Sequence, residues 1–269
     1  MHEDVGDGDH SALGAIPASS RNKAQLIIKD TGILAGVEMA KRIFDFASPE
    51  IQFDQKLSDG QHVEHGQIAF TVEGPAREIL SSERLVLNCM QRMSGIATYT
   101  YYLCGLIKGT GTQLLDTRKT TPNFRLAEKW AVKIGGGTNH RFGLFDMVML
   151  KDNHIDYAGG VRKAIESTAE YLQEKNKKLK IIVEVRNLDE LQEVIDTGHV
   201  YRVLLDNMLP SAMRQAIKMI DGRFETEASG GISEKNIREI AETGVNYISV
   251  GAMTHSYHSL DMSLKAFDN

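Results

Sequence analysis

The sequence of 269 residues contains only two cysteines, five prolines and one tryptophan. Two cysteines cannot build a disulfide framework. Because Cys89 and Cys104 both lie in apolar surroundings, we expect reduced thiols in the core. Their placement, and the lack of a histidine pair with metal-ligand spacing, also argue against a zinc site. The few prolines and the 24 glycines exclude a collagen-like or proline-rich linker protein.

The sequence also lacks an excess of positive charge, since 31 lysines and arginines stand against 36 aspartates and glutamates, a net charge of −5. This balance makes it a poor candidate for general binding to nucleic acid or to anionic membranes. No apolar run reaches the ~18 residues of a transmembrane helix, and the acidic start at residues 1–11 is unlike a signal peptide. We therefore expect a cytoplasmic protein whose 42% apolar residues build a globular core.

The first part of the chain mixes strand-like and helix-like segments without a regular order. Strands are predicted at 24–29 and 67–72, a short helix at 36–46, and a long helix at about 76–106 with a bend or break at Gly95. This mixture is typical of an α+β domain. We predict that it occupies residues 1–110, with the C-terminal segment 256–269 returning to it.

The second part has a regular pattern, because short apolar runs alternate with helical segments. Six runs are predicted as strands, at 113–116, 147–150, 181–185, 203–206, 225–228 and 247–250. Such alternation predicts a parallel sheet with right-handed crossovers. The regular region, residues 112–252, is shorter than the ~200 or more residues of an eight-stranded barrel. We therefore predict an α/β barrel of fewer than eight strands at residues 111–255.

Equal spacing places polar residues at one edge of that sheet. Glu184 and Asp206 are 22 residues apart, and the next two intervals, to Ser229 and then to Gly251, are 23 and 22 residues. Equivalent positions of equal βα units lie at the same end of a sheet. We therefore expect these four residues on the carboxyl-terminal rim, where such folds place their sites.

A cluster of cations is predicted at the same rim. Residues 117–151 contain seven lysines and arginines but only two acids. Four of the cations follow predicted strands or lie in loops: Arg118, Lys119, Arg141 and Lys151. They suit a multiply anionic ligand, because arginine binds carboxylates in a bidentate manner and lysine offers phosphate a point charge. The other three fall on a predicted helix, where we expect solvated side chains: Arg125, Lys129 and Lys133.

A glycine-rich loop at residues 229–231 follows a strand and precedes a predicted helix over 234–242, with Ser233 as its N-cap. Backbone amides and a helix N-terminus at such a place can cradle a phosphate. Two tight βα turns without a ligand are the alternative. The cradle and its opposing wall would consist of Ser229, Gly230, Gly231, Val250, Gly251 and Ala252.

The two rim carboxylates also allow two interpretations. A carboxylate at the end of a buried strand is costly unless it is paired or bound to metal. Glu184 and Asp206 can therefore pair with a rim lysine such as Lys151, or can share Mg²⁺ with the phosphates of a substrate. His140, in the basic stretch beside Arg141, is an equally open candidate for contact with a ligand.

Nine strings in order make the sequence resemble the quinolinate phosphoribosyltransferase family over nearly its whole length. They are EDVGDGDHS (3–11), SERLVLNCMQRMSGIAT (82–98), DTRKTT (116–121), GGGTNHR (135–141), LKDNH (150–154), VEV (183–185), LDNM (205–208), SGGI (229–232) and SVGA (249–252). The resemblance implies an N-terminal α/β sandwich and a C-terminal α/β barrel with fewer than eight strands. It also implies transfer of a phosphoribosyl group from phosphoribosyl pyrophosphate to quinolinate, with Mg²⁺ as cofactor and release of pyrophosphate and CO₂.

The resemblance further implies roles for the rim residues. The carboxylates of quinolinate would be held by Arg118, His140, Arg141 and Lys151. Lys119 and Lys151 would face the pyrophosphate, and Glu184 and Asp206 would lie beside the ribose and Mg²⁺. The loops 229–231 and 250–252 would cradle the 5-phosphate. The catalytic candidates are Lys119, Lys151, Glu184 and Asp206, and Thr117 joins the substrate-binding set.

Members of that family are homodimers in which an arginine of the partner subunit completes the site, and Arg84 is the matching position. Members usually carry a helical segment before the acidic opening, whereas this sequence starts at Met1, and we expect this to bear on part of the dimer contact and not on the rim. Three other functions remain open. They are a Schiff-base lyase with Lys151 as nucleophile and Glu184 as proton shuttle, a paralogous transferase with another acceptor, and a non-catalytic sensor of phosphate ligands.

Overall fold

The computed structural model describes residues 1–267, which form two compact units. The first unit comprises residues 1–101, 121–136 and the described chain from 253 onward; the second comprises residues 102–120 and 137–252. These limits differ from the predicted boundary at residues 110 and 111, because the second unit begins at residue 102 and segment 121–136 belongs to the first unit. No helix in the described range 1–267 has the length and apolar character needed to span a membrane.

The helices and strands follow in chain order. They are α1 (His2–Val5), α2 (His10–Ala15), β1 (Arg21–Ile28), β2 (Gly32–Ile33), α3 (Val37–Ala47), β3 (Gln52–Gln55), β4 (His62–Val63), β5 (Ile68–Pro75), α4 (Ala76–Leu106), β6 (Gln113–Leu115), α5 (Arg125–Ile134), β7 (Val148–Leu150), α6 (Asp152–Ala158), α7 (Val161–Glu174), β8 (Ile181–Val185), α8 (Leu188–Thr197), β9 (Arg202–Asp206), α9 (Pro210–Ile220), β10 (Glu225–Ser229), α10 (Ile237–Ala241), β11 (Tyr247–Ser249), α11 (Ala252–His255) and β12 (Met262–Ala266).

The sheet of the first unit is antiparallel and has the order β12-β1-β5-β3. Alternate residues of β1 are buried, including Leu26 and Ile28, and Phe44 of α3 packs edge-on against Phe70 of β5. The C-terminal strand pairs with β1 over the whole of β12. The last two residues of the predicted returning segment, 268 and 269, lie outside the described residues.

Segment 121–136 joins the first unit through an ion pair between α4 and α5. The Arg92 guanidinium contacts the Glu128 carboxylate, which has no exposed surface, with its Nε at 2.8 Å. Glu128 also accepts the main-chain N–H of Thr121 at 3.1 Å. Helix α5 buries Lys129 to 2% exposure, so the expectation of solvated cations on this helix is wrong for Lys129.

Helix α4 runs unbroken through Gly95, so the predicted break there is wrong. A Cβ at Gly95 would lie 2.1 Å from the carbonyl oxygen of His258. The glycine is therefore needed for the close approach of a neighbouring chain segment. The apolar face predicted from the helical period is buried as expected: Ile79, Val86, Met90, Met93 and Ala97.

The first turn of helix α3 is capped by a side chain that is distant in sequence. Its N-cap residue Gly36 has no side chain for this purpose, and the carboxylate of Asp59 accepts the Val37 N–H at 2.8 Å. We expect Asp59→Ala to lower the free energy of unfolding by about 1–2 kcal/mol, because it leaves first-turn N–H groups without their acceptor. Chemical denaturation measures this change. Asp45→Ala, at an exposed position of the same helix, is the control, and an equal loss in both variants would contradict the capping role.

The sheet of the second unit consists of six parallel strands in the order β6-β11-β10-β9-β8-β7, which confirms a parallel sheet with fewer than eight strands. The spatial order is a cyclic permutation of the chain order, as in a barrel, with β6 and β7 at the point of closure. No ladder joins β6 to β7 within residues 1–267. The main chain of Thr138 instead bridges to Leu115 on the β6 edge.

Candidate active site

The carboxyl ends of the six parallel strands carry the residues that equal spacing predicted at a rim. Lys151 directly follows β7, Glu184 lies near the end of β8, and Asp206 and Ser229 end β9 and β10 in paired register. Thr117, Arg118 and Lys119 follow β6, and Gly251 follows β11 by two residues. Because the strands are parallel and neighbouring, these side chains belong to one edge of one unit.

The two carboxylates of the rim influence each other. Burial raises the pKa of the Glu184 carboxyl, and the negative charge of Asp206 raises it further. Lys151 and the N–H of Asp152 act in the opposite direction. Two carboxylates that repel each other while partly shielded from water form a place that favours positive charge.

Asp206 is held by a residue that sequence reasoning missed. The side-chain amide of Asn207 donates to Asp206 Oδ2 at 2.7 Å, and its main-chain N–H donates to the Ser229 carbonyl at 2.9 Å. Asn207 has φ +52°, a left-handed conformation that asparagine tolerates better than most residues. A Cβ at Gly230 would lie 2.2 Å from Asn207 Oδ1, so glycine is required there. An Asp-Asn pair at a strand end was the available sequence signal.

The glycine-rich loop is built differently from the prediction. Helix α10 has five residues and begins at Ile237, so the helix predicted over 234–242 with Ser233 as N-cap is wrong. The Asn236 side chain instead accepts the Ser233 N–H at 2.7 Å and donates to the Gly231 carbonyl at 2.9 Å. Any phosphate cradle here therefore depends on the loop amides rather than on a helix N-terminus. Gly230 and Gly231 have φ of +88° and +59°.

The opposing loop follows β11. Val250 is buried and donates its N–H to the Leu115 carbonyl at 2.9 Å, which ties this loop to the end of β6. Gly251 and Ala252 are half-buried. The loop backbone therefore occupies the position expected of a wall beside the 229–231 loop, since β10 and β11 are neighbours in the sheet.

The four rim cations differ in burial. Arg118, Lys119 and Lys151 are exposed, whereas Arg141 is 9% exposed and donates from Nη1 to the Met147 carbonyl at 3.2 Å. Burial lowers the pKa of the Arg141 guanidinium, and the nearby charge of Arg118 lowers it further. Two guanidiniums whose charges oppose each other favour the binding of an anion nearby.

The imidazole of His140 is buried within the second unit. Its Nε2 lies 3.2 Å from Glu227 Oε2, its Nδ1 accepts the Arg141 N–H at 2.6 Å, and its side chain is 5% exposed. Glu227 in turn contacts Arg202 Nη1 at 3.0 Å, and Arg202 binds Glu225. Sequence reasoning missed Glu227 and Arg202. The signal was two alternating glutamates in a strand predicted to be buried.

Glu184 and Asp206 are the candidate metal ligands. Among residues 1–267 no group of three or more histidine, cysteine, aspartate or glutamate side chains converges on one point. Mg²⁺ in phosphate-handling sites is often bound by one or two carboxylates plus substrate phosphates and water. The pair of mutually repelling carboxylates fits that mode and does not fit a site made of protein ligands alone.

Two other predictions concern Arg84 and the cysteines. Arg84 lies on α4 in the first unit, and its side chain is exposed. Cys89 and Cys104 are both free thiols, as expected, with Cys89 buried and Cys104 half-buried.

Comparison with known proteins gives consistent results along the chain. Residues 9–94 match the family model of the N-terminal domain of quinolinate phosphoribosyl transferase, and residues 96–265 match that of its C-terminal domain. The chain is 44% identical to quinolinate phosphoribosyltransferase (decarboxylating) 1 of Nicotiana glauca, over 98% of this chain and 79% of the relative. It is similar to the crystal structure of NadC from Streptococcus pyogenes, with a TM-score of 0.93, 38% identity and coverage of 99% and 94% of the two chains. The nicotinate-nucleotide pyrophosphorylase from Francisella tularensis has a TM-score of 0.91 and 39% identity, with coverage of 99% and 92%.

Proposed function

The chain belongs to the quinolinate phosphoribosyltransferase family, and from this premise we propose that its rim transfers a phosphoribosyl group from phosphoribosyl pyrophosphate to quinolinate. The products are nicotinate mononucleotide, pyrophosphate and CO₂, a step in the synthesis of NAD. The observation that carries the proposal is that side chains suited to binding anions and side chains suited to binding cations share one edge of the sheet. Arg118 follows β6 and Arg141 is buried in the loop before β7, where they can bind a dianion. Glu184 and Asp206 lie at the carboxyl ends of β8 and β9, where they can bind a cation.

The first chemical step forms a bond between the pyridine nitrogen and the anomeric carbon of the ribose, as the bond from that carbon to pyrophosphate breaks. Positive charge develops on the ribose, and the carboxylates of Glu184 and Asp206 stabilise it. Lys119 and Lys151 bind the departing pyrophosphate. Bound Mg²⁺, held by the two carboxylates and shared with the diphosphate, would neutralise negative charge on the leaving group.

The second step is loss of the 2-carboxylate. As CO₂ departs, the electron pair of the breaking carbon–carbon bond stays on ring carbon 2, where the adjacent cationic nitrogen stabilises it, and a proton then returns to that carbon. We assign Arg118, His140, Arg141 and Lys151 to the quinolinate carboxylates, because these groups hold the acceptor with its nitrogen toward the ribose. His140 holds the main chain at Arg141. Loops 229–231 and 250–252, with Thr117, complete the substrate-binding surface.

The active protein is a homodimer in the cytoplasm, in which Arg84 from the partner subunit completes each site. Two free thiols fit a reducing compartment. The Arg84 side chain is exposed, so it is available to bind an anion in the site of the other subunit. Neither nucleic acid nor a membrane is a partner, in keeping with the net charge of −5.

Arg84→Ala is expected to lower kcat/KM by about 10²-fold without lowering the unfolding temperature, because it removes charge-assisted hydrogen bonds to the substrate. Steady-state pyrophosphate release measures the loss. Mixing Arg84→Ala subunits with Lys151→Met subunits should restore part of the activity. In each mixed dimer, one site combines the native Lys151 of one subunit with the native Arg84 of the other. An unchanged rate in Arg84→Ala, or no recovery on mixing, would remove the shared-site argument.

The function is tested by measuring pyrophosphate and CO₂ together from quinolinate and phosphoribosyl pyrophosphate. We expect equal amounts of both, dependence on Mg²⁺ with loss on chelation, and little turnover of nicotinate, which lacks the 2-carboxylate. Efficient use of nicotinate would refute the substrate assignment. A borohydride-trapped adduct of a carbonyl substrate at Lys151 would refute the transferase and support a Schiff-base lyase.

A further inference from the structure

A chain of buried charged side chains lies beneath the cationic part of the rim, within the second unit. Glu227 of β10 is 1% exposed, and its Oε2 contacts both His140 Nε2 at 3.2 Å and Arg202 Nη1 at 3.0 Å. Arg202 also donates from Nη2 to Glu225 Oε2 at 2.7 Å, and its guanidinium lies 4.1 Å from the centre of the Tyr247 ring. The stability of the fold does not explain these buried charged side chains, because buried ion pairs add little net stability compared with apolar packing.

The hydrogen bonds of His140 determine where its proton lies. Nδ1 lies 2.6 Å from the main-chain nitrogen of Arg141, and Nε2 lies 3.2 Å from Glu227 Oε2, and the tautomer with its hydrogen on Nε2 satisfies both contacts. The main-chain N–H of His140 is donated to Asp116 Oδ1 at 2.8 Å, and Asp116 is fully buried. Residues 140 and 141 are therefore held at the main chain and at the imidazole by two buried carboxylates.

The same carboxylate acts on the rim cations. Burial raises the pKa of the Glu227 carboxyl, but His140 and Arg202 outweigh burial and hold that pKa below its usual value. Glu227 therefore remains ionised. Its charge favours the protonated form of Arg141, against the opposing influences of burial and of Arg118. Asp146, which is exposed, acts on Arg141 in the same direction, so Glu227 is the buried one of the two carboxylate counter-charges of Arg141.

We infer that Glu227, clamped by Arg202, is a positioning residue that holds His140 and Arg141 in the arrangement that receives the carboxylates of the acceptor. The inference rests on the proposed function for the identity of the acceptor. Glu227 does not touch the substrate in this arrangement, and it acts through the imidazole and through the charge of Arg141. Its loss should therefore weaken binding of quinolinate and leave binding of phosphoribosyl pyrophosphate nearly unchanged.

The test compares Glu227→Gln with Glu225→Gln in the full-length protein. Both variants remove one carboxylate from Arg202, but only Glu227 contacts His140. We expect Glu227→Gln to raise the KM for quinolinate by about tenfold, since a hydrogen bond to a charged group is lost. The KM for phosphoribosyl pyrophosphate should change by less than about twofold, and both KM values should stay within about twofold in Glu225→Gln. An unchanged KM for quinolinate, or an equal rise of both KM values, would overturn the inference.

Two further measurements separate positioning from a general structural effect. In a His140→Asn background, Glu227→Gln should have little additional effect on the KM for quinolinate, because both changes act through the same imidazole. A full additive effect would contradict this route. In the wild-type protein, nitrogen NMR of His140 should show the hydrogen on Nε2, and a hydrogen on Nδ1 would overturn the clamp even if Glu227→Gln fails to fold.

These measurements also distinguish the two proposals from each other. A wild-type protein that releases no CO₂ from quinolinate contradicts the proposed function, and the tautomer of His140 then decides the clamp alone. A wild-type protein with normal turnover, combined with an unaltered quinolinate KM in Glu227→Gln, contradicts only the role of Glu227.

Discussion

Lys151→Met is expected to lower kcat/KM by at least about 10³-fold, corresponding to roughly 4 kcal/mol of lost transition-state stabilisation. Lys151 is the first residue after β7, at the edge where Glu184 and Asp206 end their strands. Its charge acts on Glu184, so the ammonium lies among the groups assigned to both substrates. Removal affects binding of the acceptor carboxylate and departure of pyrophosphate together. Methionine keeps the length of the side chain and removes only the charge.

Steady-state release of pyrophosphate measures the effect, and Lys178→Met, at an exposed position of the same unit, is the matched control. Lys151→Arg separates an electrostatic role from a covalent one. An electrostatic role predicts that arginine, which retains the charge, restores part of the activity. A nucleophilic lysine of a Schiff-base lyase predicts no activity with arginine. Activity of Lys151→Met within tenfold of the wild type would remove this residue from the reaction.

Glu184→Gln is expected to lower kcat by about 10²–10³-fold, with KM values within a few-fold of the wild type. The stabilising interaction grows as positive charge develops on the ribose, so its loss is felt in the transition state more than in the bound substrates. Glutamine retains an acceptor for the Asp152 N–H, which contacts Glu184 in the native protein. The variant therefore changes charge and preserves shape.

A stability measurement accompanies the rate. Burial and the repulsion from Asp206 both disfavour the ionised form of Glu184, so the neutral amide should leave the unfolding temperature unchanged or raise it. Such a trade between stability and activity is common where charge is held for a reaction. Glu193→Gln, an exposed change on α8, is the control for both measurements. A rate loss accompanied by a lower unfolding temperature would indicate a structural role for Glu184 instead.

The regular half of the fold could be predicted because its signals are local. An apolar run of three to five residues followed by a helical period identifies each βα unit, and all six predicted strands are present within one or two residues. Pro210 begins α9, a position where its missing N–H and fixed φ are favourable. Equal spacing then predicts a shared edge, since parallel strands present their carboxyl ends together.

One of the failures involves a contact between residues that are distant in sequence, and the other involves a competing local hydrogen bond. Gly95 resembles a helix breaker, but its neighbour in space is the carbonyl of His258. Ser233 resembles an N-cap, but its N–H donates to the Asn236 side chain, and helix α10 begins at Ile237. At Gly95 a tertiary contact outweighed the local preference, and at Ser233 a hydrogen bond within the same loop did.

Taken by itself, the sequence determined which residues could bind anions and cations, and that they share one edge of a parallel sheet, because periodicity and spacing are properties of the chain alone. Only the tertiary structure decided that Arg118 repels Arg141, that Asn207 leaves room only for glycine at residue 230, and that His140 is held by Glu227 and Arg202. These arrangements depend on strand register. Glu227 lies beside Leu204 and Glu225 beside Arg202 because β10 pairs with β9 in that register, and a shift of one residue would turn each carboxylate to the opposite face of the sheet.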